Sequence, residues 1–318
     1  MSPSALGQLM EKEILSQPEI LRRNADGYKR RAEEALRDKS FDMVLLVARG
    51  SSDNAALIAR YWIEVATGIP VCLAAPSVLT RFKRSVTYPN CLAIGISQSG
   101  AAPDVAEVLC ELREAGHATV AITNTENSRI TDEAEHTILL DAGKELSVAA
   151  TKTYTTSLLA LYQIARTLQP NMPDPSLPTE EWCARAGERA ENTSGIVVRS
   201  NPVFALGRGY SYGTAHETAL KLMECALIPA KAYSSADFEH GPKALAGHGS
   251  AAISYDGAKP ELAKQGCDIL AAPHAGVAQE LAPLWDIFFG QWLALLAARA
   301  RALNPDDPQH IQKITETL

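Results

Sequence analysis

The chain has 318 residues, 46% of them hydrophobic and 21% charged, and carries a formal net charge of −7. That length suits about two domains, and the composition is that of a folded globular protein, which excludes a disordered chain. The acidic balance excludes a protein whose main partner is DNA or RNA, which needs a basic stripe, but backbone N–H groups can still hold a small anion.

The first 40 residues, rich in Glu, Arg and Lys, read as two amphipathic helices ahead of the first domain. They lack the apolar core of a signal peptide. A strand at 43–48 follows, then helix 53–67, strand 70–74, a short helical piece near 76–82, strand 91–96 and helix 103–116. Strand 118–123, a helix near 128–134, strand 136–140 and a helix from 147 to 168 complete a first domain at 41–168. This alternation predicts an α/β fold, a parallel sheet flanked by helices in three layers. The segment QPNMPDPSLPTEE (169–181) holds four prolines and reads as a linker. Helix 182–199 then opens a shorter second domain, 182–303. Its strands at 250–255 and 267–272 are only about eleven residues apart, near the lower limit for a crossover. The apolar stretch LWDIFFGQWLALLAARA contains Asp286, Gln291 and Arg299, so it reads as a packed helix and not a membrane span. A charged tail, 304–318, closes the chain.

Two features organise these elements. MVLLVARGSSDNAALIARYW (43–62) and PVFALGRGYSYGTAHETALKL (202–222) share an apolar run, Arg-Gly, x-Ser and then helical periodicity, at a constant offset of 159. Arg49-Gly50 aligns with Arg208-Gly209 and Ser52 with Ser211; each copy is a buried strand turning sharply into a helix. In AIGISQSGAAPDV (93–105) a strand ends in Ser97, Gln98, Ser99 and Gly100 before a helix whose first turn holds Pro103 and Asp104. Ala102, at the N-cap, has no oxygen to occupy the first amides, which leaves them to solvent or to an anion such as phosphate. The six cysteines (Cys72, Cys91, Cys110, Cys183, Cys225, Cys267) show neither C-x-x-C pairs nor zinc spacing, so reduced thiols in a cytoplasmic protein and no metal site are expected.

RGSSDNA, ISQSG and ELSVAATKTYT (145–155) together resemble sugar isomerase (SIS) domains, two in tandem from about residue 40 onward. ALGRGYSYGTAHETALKLMECALIPAKAYSSADFEHGPKAL (205–245) and MEKEILSQP (10–18) resemble the isomerase half of glucosamine-6-phosphate synthase and its stand-alone relatives. The resemblance implies phosphate contacts at Ser97, Gln98 and Ser99, and a sugar pocket lined by Ser52, Val148 and Ala149. Where the synthase carries Glu-Thr after SQSG, this chain has Ala101-Ala102, so a phosphate-binding hydroxyl is missing and the backbone carries more of the load.

On the helix near 214–227, Glu217, Lys221 and Glu224 fall on one face, and Thr214-x-x-Glu217 reads as a capping box. Leu220, Leu227 and Ile228 near Glu224 suggest a partly buried carboxylate suited to general-base work; the resemblance implies that it shuttles the proton. His240 precedes Gly241-Pro242, a helix-ending signal, and a last helical turn suits a proton-carrying imidazole. The resemblance assigns it ring opening, usually in a neighbouring subunit's site. Lys313 by itself is a solvated tail lysine; by resemblance it forms a Schiff base with an open-chain ketose.

The synthase's glutaminase domain has no counterpart in the sequence, so the expected activity is glucosamine-6-phosphate deamination, giving fructose 6-phosphate and ammonia with no cofactor. The alternatives are a deglycase for fructosamine 6-phosphates, a sugar-phosphate isomerase or, in another class, a sugar-phosphate-sensing protein. The expected partners are a small sugar phosphate and a second copy of the chain in a homodimer, with no nucleic acid and no membrane.

Overall fold

The computed structural model describes residues 6–308 and 310–313. Residues 6–19, with 145–152, 176–308 and 310–313, form one compact unit; residues 20–144 with 153–175 form another. The units therefore interleave along the chain, unlike the serial domain boundaries read from the sequence.

The five-stranded sheet consists of β1 (Met43–Val47), β2 (Val71–Leu73), β3 (Cys91–Ile96), β4 (Ala118–Thr123) and β5 (His136–Leu139). The strands are parallel, in the order β2-β1-β3-β4-β5. Its helices are the second half of α1 (Gln8–Leu36), then α2 (Ser51–Thr67), α3 (Ser77–Thr80), α4 (Pro103–Glu114), α5 (Arg129–Asp132) and α6 (Lys152–Leu168). Side chains alternate along each strand. Met43, Leu45, Val47, Cys91 and Ala93 pack on Val105, Leu109 and Leu112 of α4 and on Ile130 of α5. Val44, Leu46, Leu92 and Ile94 point the other way and are as fully buried. This double burial is why the strands read as unbroken apolar runs. Away from the α4 cluster, Trp62 of α2 meets the edge of Tyr162 of α6 with centroids 5.1 Å apart.

The four-stranded sheet repeats the arrangement without a fifth strand. It follows α7 (Glu180–Arg199) and contains β6 (Val203–Gly207), α8 (Ser211–Ala226), β7 (Ala230–Ser234), α9 (Ser235–Phe238), a 3-10 turn at Pro242–Leu245, β8 (Ala251–Ser254), α10 (Pro260–Lys264), β9 (Asp268–Ala271) and α11 (Ala282–Ala300). The order is β7-β6-β8-β9, again parallel. The short crossover succeeds because α10 has only five residues. Phe204, Leu206 and Ala252 pack on Phe238 and Leu262 on one face. α11 is apolar on nearly every side because it is buried against α7 and α8. Among the described residues no helix is long and apolar enough to cross a membrane.

Several elements differ from the sequence expectation. The two N-terminal helices are one, α1, which continues through Pro18. Proline cannot bond the Ile14 carbonyl, and that oxygen accepts instead from Gln17 Nε2 at 3.1 Å and the Cys183 thiol at 3.8 Å. The α1 amides of Leu9 and Met10 each donate 2.9 Å bonds to the Asp306 carboxylate, a helix cap supplied from the far end of the chain. In the other unit, Arg23, Asn24 and Arg31 of α1 donate to the carbonyls of 139–141, where β5 ends. The helix expected from residue 147 begins at Lys152, and 145–151 is a loop. α8 begins at Ser211, directly after the Arg-Gly turn, so Thr214 and Glu217 lie buried inside the helix and form no capping box.

α8 and α11 approach closely at Gly290, where an added Cβ would lie 2.2 Å from Thr218 Oγ1 and 2.9 Å from the Tyr255 hydroxyl. Gly290→Ala is expected to destabilise the fold by about 1–3 kcal/mol through overpacking, read as a lower urea midpoint at unchanged m-value.

Candidate functional site

The order of the five-stranded sheet changes direction between β1 and β3, and parallel sheets bind ligands at such a switch, beyond the carboxyl ends of the strands. Val47 lies in register with Gly95, so the two loops that follow leave the sheet side by side. The first is Arg49-Gly50, which runs directly into Ser51 and Ser52 at the start of α2; the second is Ser97 to Ala102. Both feed helices that lack a side-chain cap: Gly50 precedes α2, and Ala102, extended at φ −61° and ψ 108°, precedes α4. Ser97 is buried, and Ser52, Gln98 and Ser99 are half-buried. Gly100 has φ +67°, and a Cβ there would sit 2.1 Å from Ser128 Oγ, so the turn admits no other residue without strain.

An ion pair that the sequence reading missed ties the two loops together. Arg49 Nε lies 2.7 Å from Asp104 Oδ2, with the carboxylate side chain 2% exposed and the arginine 53% exposed. The other carboxylate oxygen accepts the Val105 N–H at 2.9 Å. The expectation that Ala102 leaves the first-turn amides free therefore needs correction: a buried carboxylate requires partners, and Asp104 takes one of those amides. What faces outward in exchange is a guanidinium, a stronger attractor of a dianion. The Arg-Gly repeat had pointed to this residue, but only as part of a turn. Beside the start of α4, a cavity is lined by Ser99, Ala101, Pro103, Thr125, Ser128 and Arg129. The buried Ser128 Oγ has no hydrogen-bond partner among the described residues. Thr125, Ser128 and Arg129 had carried no signal in the sequence.

The remaining expected residues belong to the other unit. On α8, the Lys221 ammonium is buried between Glu217 Oε1, at 3.4 Å, and Glu224 Oε2, to which it donates. Burial opposes its charge, but the two carboxylates together hold its pKa well above the usual lysine value. Glu217 is fully buried, whereas the Glu224 side chain is 27% exposed. Glu224 is thus partly buried, as expected, and forms the outward end of a three-charge chain that the sequence reading did not describe. His240 is exposed, in the turn between α9 and the 3-10 turn at Pro242. α9 has only four residues, so the helix-end environment expected for this imidazole is a single turn.

Lys313 is not a solvated tail lysine. Its ammonium donates to Glu145 Oε2 and to the Ser147 carbonyl, each at 2.7 Å, and the Glu145 side chain is fully buried. Glu145 Oε1 also accepts the Thr151 N–H at 3.0 Å, which closes the 145–151 loop on itself. Val148, half-buried, and Ala149, buried, sit on this same loop. The rest of the tail, 314–318, lies outside the described residues.

In the four-stranded sheet, β8 leads into ISYDG (253–257), the counterpart by order of ISQSG. Here Asp256 accepts from Lys259 Nζ at 2.9 Å and Ser254 Oγ at 3.2 Å. Burial alone would raise its pKa, but Ser235, Lys259 and Ser254 hold it below the usual carboxylate value. A fixed negative charge stands where the first sheet leaves hydroxyls.

Residues 39–166 match the SIS domain family. The match runs from just before β1 into the last turn of α6 and includes both loops at the switch. The chain is 34% identical over 262 residues to the isomerizing glutamine–fructose-6-phosphate aminotransferase of Pseudomonas aeruginosa, covering 74% of this chain and 42% of that protein. It is 30% identical over 359 residues to the aminotransferase of the same name from Symbiobacterium thermophilum, covering 96% and 58%. The chain thus spans about half the length of these curated relatives. The crystal structure of glucosamine-6-phosphate deaminase from Thermotoga maritima superposes with a TM-score of 0.77 at 25% identity, covering 98% of this chain and 100% of that one. A single family match covers the SIS segment; a second SIS domain in residues 182–303 is our proposal, supported by the shared strand order and the Arg-Gly repeat.

The charge chain on α8 makes a test possible. Lys221→Met leaves the fully buried Glu217 without its counter-ion and is expected to cost about 3–5 kcal/mol in urea unfolding. The double variant Glu217→Gln, Lys221→Met should recover most of that loss.

Proposed function

We propose that the protein is an amino-sugar-phosphate deaminase, converting glucosamine 6-phosphate and water to fructose 6-phosphate and ammonia. The observation that carries this reading is the end-to-end correspondence with the Thermotoga maritima deaminase, joined to this chain's own SQSG loop, which lies beside two uncapped helix starts. The phosphate is assigned to Ser97, Gln98, Ser99 and the start of α4, with Ser52 and the Arg49 guanidinium beside them. In the open-chain sugar, Glu224 takes the C2 proton, giving an enolamine, and returns it to C1, leaving a C2 imine. Lys221 orients that carboxylate through its direct bond. Water adds to the imine carbon and ammonia leaves. An alternative order first exchanges ammonia for Lys313 Nζ at C2, and water then frees the lysine. His240 is proposed to move the proton that opens the ring, and its exposed position suits a residue delivered to a second copy of the chain in a homodimer.

The test is direct. Purified protein given glucosamine 6-phosphate should release ammonia and fructose 6-phosphate in equal amounts; sugar isomerisation without ammonia would favour an aldose–ketose isomerase instead. Glu224→Gln should lower kcat by roughly 10²–10⁴ with little change in KM. Ser97→Ala and Ser99→Ala should act mainly on KM.

A further inference from the structure

Lys313 is held by a loop, and the loop is held by a carboxylate from a distant part of the sequence. Glu13, on α1, is 6% exposed. Its Oε1 accepts the Leu146 N–H at 2.5 Å and its Oε2 the Ser147 N–H at 3.4 Å. The carbonyl of that same Ser147 receives the Lys313 ammonium, as does the carboxylate of Glu145, one residue before Leu146. The peptide units that seat the lysine on one side are thus gripped by Glu13 on the other. In a loop without helical or strand bonds, the Glu13 contacts act with the Glu145–Thr151 bond to fix the direction of the Ser147 carbonyl.

We propose that Glu13 is a positioning residue for Lys313, fixing the 145–147 backbone so that the lysine is seated against Glu145 and the Ser147 carbonyl. In its catalytic meaning this rests on the reading that Lys313 reacts with an open-chain ketose phosphate; as a statement about the loop it does not. The groups that face Glu13 are Glu145 on the loop, Lys152 at the start of α6 and Lys313 on the tail. Burial is the largest influence on its carboxyl and pushes its pKa up to about 7. The Leu146 N–H draws it down, Glu145 pushes it up, and the two lysines draw it down. The grip is therefore pH-dependent. An ionised Glu13 accepts two amide bonds, whereas a protonated one loses acceptor strength and relieves its repulsion with Glu145. Between pH 8 and pH 6 the ionised fraction falls from about nine tenths to about one tenth.

The experiment measures hydrogen exchange at the Leu146 and Ser147 amides by NMR in the full chain, corrected for intrinsic exchange. It is run at pH 6 and pH 8 for the parent, Glu13→Gln and Glu13→Asp. Protection of Leu146 in the parent should fall several-fold from pH 8 to pH 6. Glu13→Gln should remove that pH dependence, and Glu13→Asp, with a shorter reach, should lower protection at both pH values while keeping the dependence. The same samples are treated with fructose 6-phosphate and borohydride, and the sugar trapped on Lys313 is counted by mass spectrometry. Trapping in the parent should be at least about tenfold greater than in Glu13→Gln at pH 8, with Glu13→Asp between them. Equal protection and equal trapping in parent and Glu13→Gln would overturn the positioning role. Absence of trapping in the parent, with the expected exchange pattern intact, would overturn the Schiff-base reading and leave the loop assignment standing.

Discussion

A parallel sheet covered on both faces has no polar surface along its strands, so it can meet a ligand only past the strand ends. In the five-stranded sheet that constraint acts at the switch between β1 and β3, where Val47 and Gly95 stand in register and two loops emerge together. The placing of small and polar residues follows from it. Gly100 is required by a Ser128 hydroxyl that would meet any Cβ, and Ala102 leaves the start of α4 without a side-chain cap. The Arg49–Asp104 pair then fixes the spacing of the two loops at low exposure of the acid and high exposure of the base.

The other unit carries its charges differently. Lys221 and Glu217 are buried together, an arrangement that offers little net stability but is damaging to break. Its value lies in direction. A lysine fixed inside α8 holds Glu224 at the surface end of the chain of charges, in a defined orientation. The same logic recurs around the 145–151 loop, where Glu145 is fully buried and satisfied by the Thr151 amide and Lys313. In both places a carboxylate is removed from water and restrained by an ammonium, which limits its conformations.

Much of the fold was legible because its signals are local. Apolar runs bounded by Gly mark the strands of both sheets, and Arg49-Gly50 and Arg208-Gly209 mark the same turn twice, each glycine at positive φ. What could not be read depended on partners far away in the chain. The two helices expected in the first 40 residues are one, and it continues through Pro18 because Cys183 and Gln17 take up the orphaned carbonyl. The helix expected from residue 147 starts late because Glu13, more than 130 residues earlier, holds the amides of Leu146 and Ser147. Arg49 was visible only as half of a turn, since its carboxylate partner lies 55 positions further on. Ser128 and Arg129 sat in a polar segment like any other, and only the folded chain brings them beside Ser99.

The loop after β8 shows what one substitution of type does to a repeated architecture. With Asp256 already anchored by Lys259, an incoming dianion would meet a resident anion of its own sign and find its most useful donors engaged. The two sheets therefore present unequal termini: one open to a negatively charged guest, the other internally neutralised. A shared strand order does not carry a shared chemistry at the strand ends: one loop presents hydroxyls, the other a carboxylate already paired with its own lysine.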